Sequence, residues 1–211
     1  GARLLDIACG QGQLVQLAAH QDVVAIGLDL SFEGLSKGAR HTPEGQWIVG
    51  DGQCIPLPDA SVDYIMNIGS LEHYDDPIQG MREICRLLKK DGRACILLPN
   101  AFGAFGNIRR VWQTGEIFDD RQPRQRYATR KTWEAMLTRS GLEIERLMPF
   151  GEVNFPRTFT DLLWTIKRPQ KFLRLIVAAL TPINLANHFI FICRRASDST
   201  PPTYYPMFPL A

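Results

Sequence analysis

The sequence predicts an α/β domain, a largely parallel sheet wound with helices on both faces, and three observations carry that expectation. Short apolar runs of four to eight residues, each beside turn residues, alternate with stretches of helical periodicity. A glycine pair, Gly10 and Gly12 in "LLDIACGQGQL", stands where the first run would hand over to the first helix. The length of 211 residues, 45% hydrophobic and 22% charged, suits one ordinary soluble domain with a sizeable core.

Taken in order, "RLLDIAC" should end as a strand near Ala8, because Gly10 and Gly12 let the backbone turn tightly before a helix from Gln13 to His20. "VVAIGLDL" reads as the second strand and Phe32 to Arg40 as the second helix; "QWIVG" and "VDYIMNI" follow as strands. The clearest helix is predicted from Pro77 to Lys89. There Ile78, Met81, Ile84, Cys85 and Leu88 recur at helical spacing, Pro77 fits the first turn, and Gly92 follows the end. "GRACILLP" is the fifth strand. Such alternation means a parallel sheet covered on both faces, with ligands taken at the carboxyl ends of its strands.

Composition excludes several functions. A net charge of +2 is too small to imply a polyanionic partner. The cysteines at 9, 54, 85, 95 and 193 form no C-x-x-C pair and no metal-ligand spacing, so no metal is expected and the thiols read as reduced and packed. No signal-peptide pattern precedes the first strand. A domain over residues 1–195 is expected, with a proline-rich tail over 196–211 that contains "STPPTYYPMFP".

The ligand is constrained by acids. A dinucleotide fingerprint wants a third glycine where Val15 stands, and Asp6, just beneath the loop, would repel a pyrophosphate. The same carboxylate suits a ligand carrying an ammonium or a sulfonium. Asp29, at the end of the second strand, can accept both hydroxyls of a ribose. Asp51 and Gly52, after the third strand, can accept from an adenine amino group and donate to its ring. Each acid could instead be an ordinary turn former, as Asp59 and Asp63 are read, and Cys9 is read as packing beside the loop.

"LLDIACGQG", "GLDLS", "GDGQCIPLPDASVDYI" and "SLEHYDDP…MREICRLLKKDGRACILLPN" together resemble the successive motifs of class I S-adenosylmethionine-dependent methyltransferases of the type 11 group, which modifies small molecules and quinone or lipid precursors. The resemblance covers residues 1 to about 100. It implies a Rossmann-like sheet of seven strands with the last antiparallel; "LEIERLMPF" at 142–150 and "HFIFICRR" at 188–195 can supply strands six and seven. It implies S-adenosylmethionine as cofactor, with S-adenosylhomocysteine as product, held by Asp6, Ala8, Gly10, Gly12, Asp29, Leu30, Asp51, Gly52, Asn67 and Gly69. It also implies a small organic acceptor, while the reduced, packed cysteines suit a cytoplasmic enzyme. Members usually carry a helical lid before the first strand, and none precedes Arg3 in this sequence, which leaves the closure of the site open.

His73, in "MNIGSLEHYDD", is the best-placed general base, with Glu72 as its rival and a packed or capped side chain as the alternative. No G-x-S-x-G elbow accompanies Ser70, which excludes a serine hydrolase. Residues 101–187 should build the acceptor site. Their arginines, at 109, 110, 121, 124, 126 and 130, read first as a solvated surface paired with Glu116, Asp119 and Asp120, and second as a binder of acidic substrates or nucleic acid. Nucleic acid is disfavoured, because "NIGSLE" stands where an N-P-P-Y-type motif would serve base methylation. A nicotinamide-dependent oxidoreductase conflicts with Asp6 and Val15. A methyltransferase-like binding module without turnover stays open.

"FLRLIVAALTPINLANHFIFI", at 172–192, is too interrupted to span a bilayer. It divides into a buried helix up to Leu180, a proline turn and a core strand. The second reading joins it to Phe155, Phe159, Leu162, Leu163 and Trp164, with Lys167, Arg168, Lys171 and Arg174 as a basic rim, in a surface for a lipid-like acceptor or peripheral contact with an anionic membrane.

Overall fold

A computed structural model describes residues 1–119, 121–122, 124–151, 158–168, 176 and 180–197. Its seven strands are β1 (Arg3–Ile7), β2 (Val24–Asp29), β3 (Gln46–Val49), β4 (Val62–Ile68), β5 (Leu88–Pro99), β6 (Leu142–Phe150) and β7 (His188–Arg195). They form one sheet in the order β3-β2-β1-β4-β5-β7-β6. All pairs from β3 to β5 are parallel, and β7 runs antiparallel between β5 and β6. The fold class and both late strands therefore stand as the sequence predicts. The order reverses between β1 and β4, and that switch point is where an open α/β sheet leaves a crevice for a ligand.

The helices are α1 (Gln13–Ala19), α2 (Phe32–His41), α3 (Pro77–Leu87), α4 (Arg109–Thr114), α5 (Arg130–Arg139) and α6 (Phe159–Ile166). Strands flanked on both faces become apolar throughout, as in the buried run Ala25, Ile26, Gly27, Leu28 of β2. In the middle of the sheet Ala94, Ile96 and Leu98 of β5 lie fully buried beside Phe189, Phe191 and Cys193 of β7. α5 is pinned to this centre: the buried Trp133 indole donates to the Pro99 carbonyl at 2.8 Å.

Local signals explain most boundaries. Ser31 caps α2 by accepting from Gly34, and the Asp76 carboxylate caps α3 by accepting from Ile78 and Gln79. One boundary differs from the expectation. α3 stops at Leu87 rather than Lys89, because the carbonyls of Arg86 and Leu87 are already taken by the amides of Ala60 and Ser61, and Leu88 turns extended to pair with Val62. Gly92 then lies inside β5 instead of ending a helix, where an added Cβ would meet the Asp63 carbonyl at 3.0 Å. Asp59 and Asp63 hold structure: Asp59 pairs with Arg86, and Asp63 with Lys89.

Of the stretch 172–192, Ile176 and Leu180 are exposed rather than buried, and Pro182 leads into the short turn Ile183–Leu185 before β7. The proline turn and core strand stand as predicted. The side chain of Leu162, residues Phe155, Lys171 and Arg174, and the tail from Asp198 onward lie outside the described residues.

Candidate functional site

At the carboxyl ends of β1, β2 and β4 opens a cavity of about 470 Å³, a size that suits a nucleoside-bearing ligand. Of the residues singled out from the sequence, Ala8, Asp29, Leu30, Asp51, Gly52, Gly69 and His73 line it. Asp6, Gly10, Gly12 and Asn67 stand behind or beside that lining.

The turn after β1 is built by backbone conformation. Ala8, Gly10 and Gly12 have φ of 60°, 56° and 75°, a region that strains any residue with a side chain. The turn is tied down from β2: the Gly10 amide donates to Asp29 Oδ2 at 2.8 Å, and the Ser31 amide to Oδ1 at 2.7 Å. Each carboxylate oxygen keeps a further lone pair for a ligand. The two glycines serve different ends. Nothing lies within 4 Å of a Cβ built on Gly10, whereas one built on Gly12 would sit 2.1 Å from the Trp47 ring. The space that Gly12 leaves is occupied by Trp47, which also presses on Gly27, Gly38 and Gly45.

Beneath the turn, Asp6 is 4% exposed. Burial, and secondarily the charge of Asp29, push its carboxyl up to about 7. Among the described residues no ion pair reaches either acid. Burial and then the charges of Asp6 and Asp29 raise the Cys9 thiol to about 12, which keeps it protonated and removes it as a nucleophile. The site thus holds two carboxyls that a bound cation would relieve.

At the exit of β3, Asp51 accepts from the Gln53 amide at 2.8 Å and from the Gln53 side chain at 3.2 Å. Gln53 in turn accepts the Asp76 amide, so the loop is coupled to the start of α3. Gly52 is required by a residue that sequence reasoning missed. A Cβ there would lie 2.0 Å from the Tyr74 hydroxyl, and one on Gly80 would lie 2.6 Å from the same ring. Tyr74 lines the cavity beside Ser70. Burial raises its phenol, while Ser70 and Asn67 beside it act in the opposite direction. Asn67 is fully buried and Ser70 8% exposed, yet the side-chain polar atoms of both lack a hydrogen bond of ordinary geometry. Only the glycines at 52 and 80, far apart in sequence, hint at this packing.

His73 ends the short turn Leu71–His73, and its Nδ1 meets the Arg124 carbonyl. A carbonyl can only accept, so Nδ1 carries a proton, and Nε2 lies 3.9 Å from Glu72 Oε1. Residues 121–122 and 124–128 strap this turn. Gln122 lines the cavity, Arg124 pairs with Asp75, and the Arg126 guanidinium donates to the carbonyls of Glu72, Tyr74 and Asp75. Ala128 bridges to Asn100 at the end of β5. For Arg124 and Arg126 the expected pairing with Glu116 and Asp119 gives way to this strap, in which one guanidinium fork serves three carbonyls and the other arginine pairs with Asp75. Arg130 likewise binds Asn184 and Glu134, and Asp120 lies outside the described residues.

Residues 5–96 match a family model described as "Methyltransferase domain". Over 96% of its length the chain is 26% identical to 27-O-demethylrifamycin SV methyltransferase of Amycolatopsis mediterranei, covering 74% of that protein. It is 29% identical to demethylmenaquinone methyltransferase of Renibacterium salmoninarum across 53% of this chain; it spans 47% of that relative's length. Among solved structures, an S-adenosylmethionine-dependent methyltransferase from Mesorhizobium loti superposes with a TM-score of 0.67 at 18% identity, over 92% of this chain and 91% of that one. The cyclase SpnF superposes with a TM-score of 0.65 at 20% identity, over 93% and 76%. At such identities these two share the fold with this chain.

Proposed function

We propose that the chain is a class I S-adenosylmethionine-dependent methyltransferase: the cavity at the switch point binds S-adenosylmethionine, releases S-adenosylhomocysteine, and serves a small, hydrophobic organic acceptor in the cytoplasm. The observation that carries the reading is the pair Asp6 and Asp29: a buried carboxyl raised to about 7 beside a second acid at the cavity wall, with no ion pair to either among the described residues. A cationic ligand fits that pair and a pyrophosphate does not.

The residues divide the ligand between them. Asp29 is placed for the ribose hydroxyls, Asp51 and the Gly52 amide for the adenine, and the open side of Gly10 for close approach of the chain. Asp6 compensates the positive end from beneath the turn. Ser70 and Gly69, which line the cavity, are placed for the methionine end, with the buried Asn67 behind them beside Tyr74. Ala8 and Leu30 close the apolar wall. The cofactor, when bound, supplies a methyl group made electrophilic by its sulfonium. The protein aligns an acceptor with it and excludes water, a contribution that reaches about 7 to 11 kcal/mol in ideal systems. His73, at the cavity wall with Nδ1 held by the Arg124 carbonyl, is the candidate to take the acceptor's proton where the acceptor has one to lose.

Relatives whose names carry a demethylrifamycin and a demethylmenaquinone support a small-molecule acceptor. The second reading is a methyltransferase-like binding module that keeps the fold without turnover. Calorimetry with S-adenosylmethionine and S-adenosylhomocysteine tests the cofactor site, and absence of binding overturns it. Mass spectrometry of a cell extract incubated with the protein and a labelled methyl donor separates the two readings: a labelled product establishes transfer, and cofactor binding without label in any product establishes the module.

A further inference from the structure

Helix α6, "FTDLLWTI", carries four apolar side chains outward. Phe159 is 74% exposed, Leu163 41%, Trp164 47% and Ile166 50%. At 100° per residue Phe159, Leu163 and Ile166 share one face with Lys167 at its border, and Trp164 lies about 100° further round from Leu163. The Arg168 guanidinium lies over the Trp164 ring at 4.0 Å. The helix's one acid, Asp161, projects from the far side, where it accepts the Thr158 amide while the Thr158 hydroxyl accepts its own. A capped helix of eight residues is marginal in water without burial of its apolar face.

We propose that this face rests on an anionic lipid bilayer. Charge argues for that occupant: no acidic residue occurs from Leu162 to Ser197, while Lys167, Arg168, Lys171 and Arg174 follow the helix directly. The tryptophan with a stacked arginine argues the same way, since an indole and long basic side chains belong at the boundary between acyl chains and headgroups. Area argues against a second protein chain. Four side chains of this size present a few hundred Å², short of the roughly 800 Å² per partner that a stable protein contact buries. No helix among the described residues is long and apolar enough to cross a membrane, so the contact lies in the interface plane. Ile176 and Leu180, further along the same stretch, are exposed as well. This docking is independent of what the cavity binds.

Co-sedimentation of the full chain with vesicles of phosphatidylcholine, with and without phosphatidylglycerol, tests it. Binding is expected to the anionic vesicles and to fall with added salt. Lys167→Glu with Arg168→Glu, and separately Phe159→Ser with Leu163→Ser, should each lower it roughly tenfold or more. Both double variants keep the wild-type melting temperature and cofactor affinity, since α6 lies outside the cavity lining. Trp164 emission, taken as the difference from a Trp164→Phe variant, should shift to the blue with the anionic vesicles alone. Absence of binding at low salt overturns the proposal, as does binding that neither double variant reduces. So does a dimer in sedimentation velocity that Phe159→Ser with Leu163→Ser dissolves, because the face then belongs to a second copy.

Discussion

The Asp29 carboxylate accepts the Gly10 amide at 2.8 Å, so the end of β2 holds the turn that follows β1. One side chain therefore shapes the ligand site and forms part of its wall. Asp29→Ala should weaken S-adenosylmethionine binding about 10-fold to 100-fold in calorimetry, the equivalent of one or two charge-assisted hydrogen bonds. Unchanged affinity in a folded variant removes Asp29 from the cofactor site.

Asp6 predicts a pH dependence with an unusual sign. Its carboxyl is raised from 3.8 to about 7, so between those values the folded protein holds a proton that the unfolded chain releases. The stability this group contributes is complete below about 4 and is lost as pH rises through 7. Asp6→Asn should stabilise the ligand-free protein at pH 8, on the order of a few kcal/mol, with little effect near pH 4. Urea unfolding at the two pH values measures this. Wild-type affinity for the cationic cofactor should rise with pH over the same range, with proton release visible in buffers of different ionisation enthalpy.

Gly12→Ala tests the packing under the loop. The new methyl would stand 2.1 Å from Trp47 on a residue with φ of 75°. Overpacking and left-handed backbone together should cost about 2 to 4 kcal/mol in denaturant unfolding. Trp47→Leu in the same chain should recover part of that loss, and a purely ligand-facing Gly12 would show no such rescue.

Arg126→Ala removes donors to three carbonyls at the cavity rim and should destabilise the fold by about 1.5 to 3 kcal/mol. Arg126→Lys should recover little, because a single ammonium cannot span that fork. Limited proteolysis would show the altered strap as faster cleavage within 119–127.

His73→Ala should lower turnover while cofactor affinity stays within about twofold, since the imidazole is assigned to the acceptor. Equal turnover at saturating acceptor excludes His73 from the reaction.

What the sequence made legible follows from physics local to a few residues. Strand periodicity, the cap at Asp76 and the glycine turn need only near neighbours, and each acid at a strand end is placed once the strand is. What it hid depends on contacts distant in the chain. Tyr74 shows its role only when Gly52 and Gly80 close around it, and Gly12 only when Trp47 arrives from β3. The end of α3 was decided by amides at 60 and 61, outside any helical window. The arginines of 124–130 looked like surface charge because carbonyl partners leave no trace in a pattern of side chains.

The position of β7 has a consequence for how this protein is made. The strand lies between β5 and β6, yet 37 residues separate its first residue, His188, from the end of β6 at Phe150. At about 5 to 20 residues per second, a ribosome leaves the nascent chain for roughly 2 to 7 seconds with β6 complete and nothing to join it to β5. Through that interval "ACILLP" presents an apolar edge that can pair with any passing strand. The ligand-binding half, from β3 to β4, can close earlier on the opposite flank of β1. Translation arrested before residue 188 would therefore give an aggregating intermediate with a half-formed sheet, and capture of a metabolite by the early half would be the first brake on that fate.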